Sequence, residues 1–92
     1  MIRSFKCKDT ASLFNQMRVL RFQPFEKSAR NKLRLLNQAR SLADLFAVPS
    51  LRLEKLKHDR NNQRSIRIND QWRICFEWRE DGVYGVEIVD YH

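Results

Sequence analysis

Trp72-Arg73-Ile74-Cys75-Phe76-Glu77-Trp78-Arg79 is the stretch from which the rest of the chain can be placed. Trp72, Ile74, Phe76 and Trp78 fall on one face of an extended chain, and Arg73, Cys75, Glu77 and Arg79 fall on the other. This period of two is the mark of a half-buried strand. Asp81-Gly82 follows as a hairpin signal, and Val83 to Tyr91 supplies the returning strand. A three-residue loop of Glu80, Asp81 and Gly82 pairs Arg79 with Val83, Trp78 with Tyr84, Phe76 with Val86, Ile74 with Ile88 and Arg73 with Val89. That register sets apolar against apolar along one face, whereas a slip of one residue sets Phe76 against Glu87. Gly82 supplies the left-handed residue such a loop needs. On the upstream side, Ser65–Ile68 alternates as a neighbouring strand, with Ile66 and Ile68 on one face and Ser65 and Arg67 on the other. Asn69-Asp70 is the turn between the two. One sheet face is therefore expected under a helix, and the other is expected to offer Arg67, Arg73 and Tyr91 to solvent. Asp90 and His92 point away from that second face if the strand stays regular.

Further upstream the period changes. Phe25, Ala29, Leu33, Leu36, Ala43 and Phe46 recur at spacings near three and four, the pattern of an amphipathic helix. Pro24 suits its first position, Glu26 suits its positive end, and Pro49 stops it. A shorter helix is predicted from about Thr10 to Met17, with Asp9 or Thr10 as N-cap and Leu13, Phe14 and Met17 on one side. Residues 2–6 read as a first strand, and Leu51, Leu53 and Leu56 read as a second strand or an extended lead-in. His58 to Gln63 is a polar, mainly basic loop. The fold class expected from these elements is α+β, in one domain spanning 1–92.

At 92 residues the chain can bury one modest core. Its two Gly and two Pro argue against disorder and against a Gly-rich phosphate cradle. Cys7 and Cys75 lack metal-ligand spacing and read as buried reduced thiols, although one disulfide stays open. No apolar run is long enough for a membrane helix or a secretory signal, which points to a cytoplasmic protein without a membrane partner. The net charge is +7, which favours an anionic partner, with nucleic acid first. Charge alone equally fits a solvated basic surface. Its distribution says more: residues 52–73 hold seven cations against three acids, while residues 74–92 hold Arg79 against five acids.

No metal set and no nucleophilic triad can be assembled from His58, His92 and the two cysteines, so neither a metal nor a cofactor is expected. What the residues do suit is RNA cleavage by proton transfer. That chemistry needs a group to take the 2′-hydroxyl proton, a group to protonate the leaving oxygen, and cations on the phosphate. His92 titrates near neutral pH and, with Asp90 and its own carboxylate close by, suits a general acid. Lys57, Arg60, Arg67 and Arg73 can hold phosphate. Tyr91 can stack on a base, and Asp90 can orient His92. Taken singly, each residue also has an ordinary surface role.

Leu53-Glu54-Lys55-Leu56-Lys57, Ser65-Ile66-Arg67-Ile68-Asn69, Gln71-Trp72-Arg73-Ile74-Cys75-Phe76 and Val86-Glu87-Ile88-Val89-Asp90-Tyr91-His92, together with the start Met1-Ile2-Arg3-Ser4-Phe5, resemble the HigB-type toxins of the RelE/ParE superfamily. The resemblance runs along the whole chain, and its specific parts are Trp72-Arg73 and Asp90-Tyr91-His92. It implies a RelE-like, antiparallel-rich sheet with two N-terminal helices packed on one face. It implies an mRNA interferase that cleaves messages in the A site of the 70S ribosome. It also implies neutralisation by a helix-turn-helix, HigA-like antitoxin, with operator DNA touched only through that antitoxin. Some relatives carry His at the position of Glu54, and this chain departs from them there. On this reading Lys57, Arg73, Asp90, Tyr91 and His92 are the catalytic candidates, and Lys55, Arg60, Arg64 and Arg67 are RNA contacts. A gyrase-poisoning toxin of the same fold and a non-catalytic nucleic-acid-binding module are the rivals.

Overall fold

The computed structural model describes residues 1–57, 60 and 62–90. Its centre is a four-stranded antiparallel sheet in the order β1-β2-β3-β4. The strands are β1 (Glu54–Lys55), β2 (Arg64–Arg67), β3 (Trp72–Arg79) and β4 (Gly82–Asp90). Ile66, Ile74, Phe76, Val83 and Val86 from one face of this sheet are fully buried. They share one core with Leu13, Phe22, Ala29, Leu33 and Leu36 from the helical layer. This is the α+β arrangement expected, with helices on one face of a small sheet.

The hairpin differs from the expected register at one end. Ile74 faces Ile88 and Arg73 faces Val89, as expected, but Arg79 faces Gly82, Trp78 faces Val83 and Glu77 faces Tyr84. The loop therefore has two residues, Glu80 and Asp81, rather than three. The extra residue lies inside β4, as a bulge opposite Phe76, where the register shifts between Cys75 and Glu77. Gly85 sits there with φ +61°, a conformation glycine takes without a Cβ penalty. The bulge reverses the pleat beyond it. Val83 turns into the core, and Tyr84 turns out, where its hydroxyl donates to Asp81 at 2.8 Å and its ring lies under the Arg79 guanidinium.

The same bulge explains why residues 2–6 make no continuous strand. Ile2 and Phe5 form isolated parallel bridges with Val83 and Val86, one on each side of Gly85. Ser4 closes the gap, its hydroxyl accepting from the Gly85 N–H at 2.8 Å.

The helical layer is more broken than its stripe suggested. α1 runs Lys8–Phe14 with Cys7 as N-cap, so it starts and stops earlier than expected. Thr10 is not a cap: it is buried inside α1, and its hydroxyl accepts from the Ile88 N–H at 3.0 Å, tying the helix to β4. Gln16 takes φ 68° just past the helix end and leaves Met17 60% exposed instead of on the apolar side. Pro24 belongs to a 3-10 turn, Leu20–Phe25, rather than to the first turn of an α-helix. That turn carries Phe22 and Phe25 onto Trp72, with ring centroids 5.9 and 5.0 Å away.

α2 spans Glu26–Gln38 and buries Ala29, Leu33 and Leu36. The stripe then stops. Ser41 and Asp44 form a capping box that starts a separate α3, Leu42–Phe46, and Phe46 is 76% exposed. A reciprocal cap of this kind satisfies two backbone N–H groups and so fixes a helix start where a continuous helix was expected. Likewise, Leu51 lies in a 3-10 turn, Pro49–Leu51, and Arg52 at φ 47° turns the chain before β1, which keeps only two residues.

Candidate functional site

The face of the sheet away from the helices is built in two rungs. Glu54 of β1 faces Ser65 of β2, Ser65 faces Cys75 of β3, and Cys75 faces Glu87 of β4. One rung along, Arg67 faces Arg73 and Arg73 faces Val89. Residues directly opposite in a sheet share a face, so all of these side chains stand on the outer surface. That surface is not an open row of solvated cations. Ser65 and Cys75 have no exposure at all.

The arginines do the covering. Arg73 is half-buried: its Nε donates to the Ser65 hydroxyl at 2.8 Å and its Nη2 donates to the Arg52 carbonyl at 2.7 Å. Arg60, from the connection between β1 and β2, reaches across to β4, where its Nη1 donates to Glu87 Oε1 at 2.8 Å and to Gln63 Oε1 at 2.9 Å. Lys6 Nζ stands 3.8 Å from the same Glu87 oxygen. Arg67 pairs with Asp70 across the turn between β2 and β3, which relieves the repulsion of having Arg73 directly opposite. Beneath this cover, burial pushes the Cys75 thiol pKa up. Arg60 and Arg73 pull it down, and Glu87 and Glu54 add to the rise.

The remaining candidates are distributed differently. Arg64 faces Phe76 and Lys55 faces Arg64, so both stand at the sheet margin on the helix side, opposite to Arg67 and Arg73. Lys57 is exposed just beyond β1, and its carbonyl accepts from the Arg60 N–H at 3.3 Å. Asp90 faces Trp72, also on the helix-side parity, and accepts from Gln71 Nε2 at 3.1 Å. His58, Tyr91 and His92 lie outside the described residues. The structure thus gathers Arg60, Arg67 and Arg73 on one surface. It leaves Lys55 and Arg64 on the other side of the sheet. Arg73 is anchored rather than offered freely to solvent.

Ser65, Glu87, Gln63 and the Arg52 carbonyl were not singled out from sequence, although they hold the cations in place. Alternation alone put Ser65 and Glu87 on the Arg73 face. Gln63 and Arg52 act through loop geometry that has no period.

A family model describing the RelE-like toxin of the type II toxin–antitoxin system HigB matches residues 4–92. The chain belongs to the HigB-like toxins. It is 36% identical over 67 residues to Toxin HigB-1 of Vibrio cholerae serotype O1 (strain ATCC 39315 / El Tor Inaba N16961), a stretch covering 73% of this chain and 70% of that protein. The sheet with helices on one face is accordingly a RelE-like fold. Membership of a type II system implies an antitoxin partner for this HigB-like chain. Among the described residues no helix is long and apolar enough to cross a membrane.

Proposed function

We propose that this HigB-like toxin is an endoribonuclease that cleaves messages in the ribosomal A site by general acid–base chemistry. The observation that carries the reading is the anchored guanidinium of Arg73, fixed by Ser65 and Arg52 on the same surface as Arg67 and Arg60. A cation held before substrate arrives meets the charge that grows on the phosphate without having to reorganise. Lys57, exposed just beyond β1, is assigned a second positive charge at the scissile phosphate.

In the reaction the 2′-hydroxyl gives its proton to water and its oxygen attacks the adjacent phosphorus, the bond from phosphorus to the 5′-oxygen breaks, and a 2′,3′-cyclic phosphate and a 5′-hydroxyl are left. We assign His92 as the acid that protonates that leaving oxygen, Asp90 as the group that orients it, and Tyr91 as the ring that packs on the RNA. Arg67 holds a neighbouring backbone phosphate, and Lys55 and Arg64 touch RNA that passes the sheet margin. The antitoxin partner is proposed to be a helix-turn-helix, HigA-like protein, and the site of action the cytoplasm.

Expression of the full chain, of a His92-deleted form and of Arg73→Ala tests this. Messages mapped by primer extension should show cuts with the full chain. Loss of a positioned acid should lower the cleavage rate on the order of 10²–10⁴-fold. Full-rate cleavage by the His92-deleted form would overturn the assignment of the acid. DNA damage without message cleavage would overturn the ribonuclease reading altogether.

A further inference from the structure

We propose that Glu87 is a positioning residue of this site: it clasps Arg60 onto the outer sheet face and, through Arg60, sets the place of Lys57. The proposal rests on the ribonuclease reading for its effect on rate, but the clasp itself is a matter of structure. Glu87 is an acid at the β4 end of a surface proposed to hold RNA, where a bare carboxylate would repel phosphate. It is also mostly buried, with 14% of its side chain exposed. A carboxylate in that position stays only if cations and donors hold it. Arg60 does so at 2.8 Å, with Lys6 at 3.8 Å.

Besides its side-chain bonds to Glu87 and to Gln63 Oε1, Arg60 makes bonds through its backbone. Its N–H donates to the Lys57 carbonyl at 3.3 Å, and its carbonyl accepts from the Gln63 N–H at 2.8 Å. The Gln63 carbonyl in turn accepts from the Leu56 N–H at 2.9 Å. Arg60 therefore sits at the centre of a ladder that joins the end of β1 to the start of β2. Its side chain fastens that ladder to β4, two strands away. Lys57 hangs on the first bond of the ladder. Cut the clasp, and Lys57 keeps its charge but loses its address. On this account Arg60 serves the site by placing Lys57, beyond any contact it makes with RNA.

The test compares Glu87→Gln, Glu87→Ala, Arg60→Ala and the double alanine variant with the full chain. Amide hydrogen exchange and message cleavage on programmed ribosomes are both read. Glu87→Ala should speed exchange at the Arg60 and Gln63 amides about tenfold while leaving Ile74 and Phe76 protected. It should lower kcat about tenfold with KM within about twofold, since a displaced cation costs orientation more than binding. Glu87→Gln keeps an acceptor and should fall between, and it carries the same readouts should Glu87→Ala not fold. The double variant should be no slower than the slower of the two single ones, because both remove the same clasp. Unchanged exchange at Arg60 and Gln63, exchange that rises equally throughout β3, or effects that multiply in the double variant would each overturn the proposal. If the full chain cuts no message while the exchange pattern appears as described, the ribonuclease reading falls and the clasp stands.

Discussion

The middle of β3 is sealed from water on both faces, by opposite means. On the helix side Ile74 and Phe76 are buried among Leu33, Leu36, Phe22 and Val86, all apolar. On the outer side Cys75 is equally buried, but under Arg60, Arg73, Ser65 and Glu87, held by hydrogen bonds and ion pairs. The first kind of burial drives folding through the apolar area removed from water. The second contributes less to stability, because each polar bond inside the protein replaces one to water. What the second kind does supply is fixed cations. This chain stabilises itself with one face and holds charge in place on the other.

The sharpest way to break that contrast is to cut the apolar face. Phe76→Ala should destabilise the protein by about 3–5 kcal/mol, since the ring is fully buried and leaves a cavity. Chemical denaturation measures it, and a midpoint unchanged from the natural chain would refute the core described above. The backbone of β4 comes next. At Gly85 a Cβ would meet nothing within 4 Å, so Gly85→Ala should cost only the left-handed strain, roughly 1–2 kcal/mol. At Gly82 a Cβ would lie 2.9 Å from the Met1 carbonyl and 2.5 Å from Arg3 Cγ, so Gly82→Ala should cost more. Equal melting shifts for the two would contradict the bulge and the parallel pairing of the N-terminal segment.

The smallest effect concerns the thiols. Burial raises the Cys75 pKa above its ordinary 9.0. Its stabilising contribution is therefore complete below about pH 9 and fades as the pH climbs through the raised value. Cys7 differs: burial pushes its thiol up, but hydrogen bonds from Thr10 and Asp9 and the nearby Arg21 outweigh this and lower it. A thiol reagent at neutral pH should label Cys7 first and Cys75 only on unfolding. Early labelling of Cys75 would mean that the outer face is open.

Much of the apolar face was legible in the sequence. Alternation from Trp72 to Arg79 gave β3, its apolar side and the pairing of Ile74 with Ile88. The spacing of Ala29, Leu33 and Leu36 gave the helix that covers it. Two signals for the differences were present but outweighed. Gly85 inside an otherwise regular strand marks a bulge, and Ser41 three residues before Asp44 marks a helix start. The outer face was less legible for a physical reason. Alternation says which side a residue stands on, but the reach of Arg60 to Glu87 depends on how the 57–63 connection lies over the sheet, and that is set by tertiary structure. The same limit applies to Arg64, an RNA contact on the resemblance reading together with Arg67, although it stands on the other face. The candidate residues themselves came from chemistry and from the resemblance of the blocks around Trp72-Arg73 and Asp90-Tyr91-His92.

On the proposed function RNA is cut on the outer face, at its anchored arginine. The most direct measurement is the cleavage rate on programmed ribosomes for Arg73→Ala and Arg73→Lys against Lys27→Ala, a cation on the exposed side of α2. Each variant is first checked by melting. The account predicts that Arg73→Ala loses on the order of 10²–10³-fold and that Arg73→Lys recovers little, because a lysine cannot make both anchoring bonds. Lys27→Ala should cleave at the natural rate. A folded Arg73→Ala that still cuts at full speed, or a Lys27→Ala as impaired as Arg73→Ala, would contradict it.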